Sequence, residues 1–68
     1  MKAFQFRVGD EVKFTLFEQE MSGRVLLVLR DILLVQLLED PEVEHQIFTS
    51  RVKEVRRGGT IYFLDNQE

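Results

Sequence analysis

The stretch from Gly23 to Asp40, GRVLLVLRDILLVQLLED, constrains this chain more than any other. Between Val25 and Leu38 the residues are Leu, Val or Ile, interrupted only by Arg30, Asp31 and Gln36. Such a run can be a helix, a membrane span or two strands. A bilayer span needs roughly 20 apolar residues in a row, and this run holds about 14, with Arg30-Asp31 inside it. Leucine is a good helix former. However, Val25, Val28, Ile32 and Val35 are β-branched, no residue in the run acts as a helix cap, and a helix would place two charges in an otherwise apolar cylinder. Two strands, 23–29 and 32–38, joined at Arg30-Asp31, satisfy all of these constraints. Each then has the usual strand length of about 5–7 residues.

Upstream, EVKFTLF alternates, with Val12, Phe14 and Leu16 on one face and Glu11, Lys13 and Thr15 on the other. That predicts a strand with one buried side, entered through a Gly9-Asp10 turn. Phe17 to Met21 reads as a loop or hairpin end. Downstream, PEVEHQIFTS reads as a fourth strand opened by Pro41, where proline is tolerated. In SRVKEV, Val52 and Val55 stand three apart, a spacing that suits one 3-10 or helical turn with both valines inward. KEVRR continues as a short strand, Gly58-Gly59 turns, and TIYFLD has the β-propensity for one more strand. The expected fold class is all-β: a small barrel of five to six short antiparallel strands, with a single 3-10 turn before the last core strand. At 68 residues it is a single domain, 1–68, with a small core.

With these elements placed, a resemblance appears. VGDEVKF, a Gly-Arg-Val start to the second strand, a third strand ending near Gln36–Leu38, and TSRVKEVR resemble the SH3-like small barrels. The nearest of these are the KOW- and Tudor-like barrels of bacteria, including stand-alone members with no assigned role. The matching positions are Gly9, Asp10, Val12, Gly23, Val25, Val35, Ser50, Val52 and Val55, within residues 7–57. The resemblance implies a binding domain, because such barrels bind RNA, DNA, RNA polymerase, modified peptides or other proteins. Fold alone does not choose among these. The chain departs from the KOW pattern where LFEQEMSG replaces the loop expected to carry a second glycine, which lowers the expectation of nucleic-acid binding. With no Trp and one Tyr, no aromatic cage is recognisable.

Catalytic chemistry finds little support, and the expectation is a non-enzyme without cofactor. Without cysteine there is neither a disulfide nor a Cys-based zinc site. His45, among Glu39, Glu42 and Glu44, reads more simply as a strand histidine with solvated acidic neighbours than as a metal or acid–base site. Ser22 and Ser50 sit at turns, and Gly58-Gly59 lacks the Lys-Ser/Thr of a phosphate loop. The absence of cysteine fits a reducing cytoplasm, and MKAFQFRVGDEV has no apolar signal segment, so a cytoplasmic protein is expected.

Two binding readings remain. In a hairpin this apolar, only one face can turn inward, and the other is left for the chain's own Phe4, Phe6, Ile61, Tyr62 or Phe63, or for another molecule. The first reading is therefore an interaction module that binds itself, as a homodimer, or a protein partner. Its interface would comprise Leu26, Val28, Leu33, Val35 and Leu37. The second is a nucleic-acid-associated module, linked to transcription or translation. It would use Arg24, Arg51, Lys53, Arg56 and Arg57, the last four following an acidic segment from Asp31 to His45. The net charge of −3 weighs against the second.

Overall fold

The computed structural model describes residues 4–64. They form β1 (Glu11–Leu16), β2 (Gln19–Leu29), β3 (Ile32–Leu37), β4 (Glu44–Phe48), a 3-10 turn (Thr49–Arg51), β5 (Val52–Arg57) and β6 (Thr60–Phe63). All pairings are antiparallel, in the order β4-β3-β2-β1-β5-β6. The fold is all-β, and a single 3-10 turn precedes the last core strand as expected, although it spans Thr49–Arg51 and not the Val52–Val55 stretch whose spacing suggested it. The strands make one open sheet whose edges, β4 and β6, share no ladder among the described residues, so closure into a barrel is not seen. No helix among these residues is long and apolar enough to cross a membrane.

Two β-bulges shape the sheet. In β2, Val25 pairs with Val35 but Leu27 pairs with Leu34, leaving Leu26 as the extra residue. In β5, Glu54 pairs with Lys13 but Val52 pairs with Phe14, leaving Lys53 extra. The second bulge explains Val52 and Val55. Both are fully buried, as their spacing of three implied, but it is a bulged strand that turns both inward. The loop expected from Phe17 to Met21 shrinks to Phe17-Glu18, because Leu16 pairs with Gln19 and β2 starts at once. The type I′ form of a two-residue hairpin turn has positive φ at both central residues. Phe17 and Glu18 accordingly adopt φ of +52° and +64°, although neither residue type favours this conformation.

The core comprises Val12, Phe14, Val25, Leu33, Val35, Ile47, Val52 and Val55, drawn from five of the strands. Phe4, Phe6, Tyr62 and Leu64 pack against it from the two ends of the described chain. Gly23 lies where β2 crosses close to β3. A Cβ there would stand 3.1 Å from the Gln36 carbonyl oxygen and from Val35 Cβ.

Candidate functional site

The bulge at Leu26 decides which apolar side chains face solvent. Side chains alternate along a strand, so one inserted residue exchanges the two faces beyond it. Val25 points into the core, and strict alternation would send Leu27 and Leu29 after it. Instead Val28 joins the inner face opposite Leu33, while Leu27 and Leu29 turn outward opposite Leu34 and Ile32. β4 continues the outer rows, with Gln46 beside Leu34 and Phe48 beside Ile32.

The outer face of β2, β3 and β4 therefore carries three cross-strand rows. Arg24, Gln36 and Glu44 form a polar row. Leu27, Leu34 and Gln46 come next. Leu29, Ile32 and Phe48 form the row nearest the Arg30-Asp31 hairpin tip. Leu27, Leu29 and Phe48 are 47%, 49% and 57% exposed, and Ile32 and Leu34 are half-buried. No other described segment covers this surface. Of the terminal apolar residues, Phe4, Phe6 and Tyr62 pack on the core, and Ile61 and Phe63 are themselves exposed. Beside Phe48 runs a shallow groove of about 330 Å³, bounded also by Leu16, Phe17 and Arg51.

This geometry corrects the interface expected from alternation. Leu33 and Val35 are 0% exposed and belong to the core, so no partner can reach them. Leu37 is half-buried and packs against the same core. Val28 is exposed but shares the face of Leu33, and Leu26 is the half-buried bulge residue. The outward residues are instead Leu27, Leu29, Ile32, Leu34 and Phe48. Nothing in the unbroken Val/Leu run marks where a bulge falls, so the one-residue slip was not legible.

The basic cluster is dispersed and largely paired. Arg24 Nη2 stands 3.3 Å from Glu11 Oε2, and Arg56 Nε stands 3.4 Å from Glu54 Oε2. Both pairs are partly exposed and contribute little stability. Arg57 makes a two-pronged bond to Asp10, donating from Nε to Oδ1 at 2.9 Å and from Nη2 to Oδ2 at 2.8 Å. It also donates to the Gln5 carbonyl at 2.8 Å and lies over the rings of Phe4 and Tyr62. Asp10 is 2% exposed. Burial pushes its carboxyl up, but the Arg57 hydrogen bonds, the Arg7 backbone N–H and the charges of Arg57 and Arg7 outweigh it and hold the pKa below the ordinary 3.8. Arg57 thus locks the N-terminal segment onto the sheet. Of the five cations, Arg51 and Lys53 make no ion pair with another described residue.

His45 stands opposite Val35 and is half-buried. Among the described residues, no three His, Cys, Asp or Glu come together where they could hold a metal ion. No protein-family model matches the chain, and neither a curated protein nor a solved structure matches it.

Proposed function

We propose that this chain is a small SH3-like domain that serves as a non-catalytic interaction module, binding another protein chain through the outer face of β2, β3 and β4. The observation that carries this reading is the exposed set Leu27, Leu29 and Phe48, flanked by Ile32 and Leu34. Contiguous apolar surface of this kind is uncommon on a monomer beyond a few hundred Å² and marks interaction sites. The arrangement also matches the anatomy of an interface, with an apolar centre, a polar row on one side and a charged hairpin tip on the other. The strand sequence, the 3-10 turn before β5 and the Gly9-Asp10 entry support the SH3-like assignment. No observation favours nucleic acid, since three of the five cations proposed for it are held by carboxylates of the chain itself.

Site-specific photo-crosslinking in cells tests the proposal. A photoreactive residue at Leu29 is expected to give discrete protein adducts, while the same residue at Thr60, exposed on β6 at the opposite edge of the sheet from β4, gives none. Equal labelling from both positions, or no adduct from Leu29, overturns it.

A further inference from the structure

Resting on the reading of the outer face as an interface, we infer that its partner is a second copy of the same chain, packed about a two-fold axis beside the Leu29–Ile32–Phe48 row. The charges at the edge of the patch carry the inference. Arg30 and Asp31 form the tip of the β2–β3 hairpin, next to the most apolar row, and both are exposed. Neither makes an ion pair with another described residue, although the chain pairs Arg24, Arg56 and Arg57 with nearby carboxylates. Besides the β2–β3 ladder, a backbone bond ties the tip to the 3-10 turn: the Thr49 N–H donates to the Asp31 carbonyl at 2.8 Å. The tip therefore places one cation and one anion side by side at the edge of the patch, neither in an ion pair with another described residue.

A surface that binds its own copy must be self-complementary. An adjacent opposite-charge pair beside a two-fold axis meets that condition, because Arg30 of each protomer faces the partner's Asp31, and the contact occurs twice. A partner of a single charge sign would satisfy one of the two side chains and oppose the other. An apolar patch of roughly 300–600 Å² on each copy buries about 600–1,200 Å² in total, at or below the lower end of specific interfaces. The dimer is accordingly weak and concentration-dependent, and like-charge contacts at its rim should suffice to dissociate it.

Sedimentation velocity over a wide concentration range tests this on four samples: the full chain, Arg30→Asp, Asp31→Arg, and an equal mixture of the two variants. Both substitutions lie on an exposed turn, and unchanged circular dichroism establishes folding. Each variant alone is expected to lose about tenfold or more in self-affinity, since it places like charges together twice. Mixed, the two variants restore both opposite-charge contacts, and association should return to within about threefold of the full chain. A full chain that stays monomeric throughout overturns the inference, as does a mixture no stronger than its components. A monomeric chain that still crosslinks to another protein from Leu29 overturns the second copy alone. A monomeric chain with no adduct from Leu29 overturns both.

Discussion

At the residue scale, three positions carry conformational or electrostatic demands that their neighbours impose. Gly23 is the point of closest approach between β2 and β3, and any Cβ presses on the Gln36 carbonyl and Val35 at 3.1 Å. Gly23→Ala should therefore destabilise the domain by about 1–3 kcal/mol, measured by urea denaturation, because backbone and a buried valine must move. Asp10 has a folded pKa below its ordinary value, so its contribution to stability is fully present above pH ~4 and is lost as pH falls through the folded pKa. Melting temperature should fall steeply on acidification below pH 4, and Asp10→Asn should flatten that dependence while lowering the melting temperature at neutral pH. The turn at Gly9-Asp10 was legible from sequence. That Asp10 is buried against Arg57 was not, because the partners lie far apart in the chain and an acid after glycine usually marks a solvated turn.

At the element scale, the strands could be read from alternation and turn residues, but their faces could not. β1 follows its pattern, with Val12 and Phe14 buried. β2 does not, because an apolar run carries no record of which leucine is the inserted one. The consequence is directly testable by exchanging faces on β3. Leu33→Glu places an unpaired carboxylate in the core and should abolish folding, whereas Leu34→Glu should leave the circular dichroism spectrum native and reduce association. The reverse result would mean the register is shifted by one. The β1–β2 hairpin is the second irregular element. Its turn holds Phe17, 85% exposed, and Glu18 in left-handed conformations that Asn-Gly adopts readily. The double substitution Phe17→Asn, Glu18→Gly should raise stability by about 1–2 kcal/mol in denaturant titration, since each non-glycine left-handed residue costs about that much before neighbouring interactions offset it.

At the scale of the whole molecule, a six-stranded open sheet with one compact inner core leaves a second surface to account for. The N-terminal segment and β6 cover the core rather than that surface, with Arg57 and Asp10 holding the former in place. The outer patch is what remains, and it exists because a single bulged residue turned Leu27 and Leu29 away from the interior. The most direct measurement is a dilution series followed by methyl NMR on the full chain. As concentration rises, the methyl signals of Leu27, Leu29, Ile32 and Leu34 should shift together, while those of Val12, Val25 and Val55 stay fixed. Outer-face methyls that do not move at any concentration, or shifts confined to β5 and β6, would contradict self-association through this face.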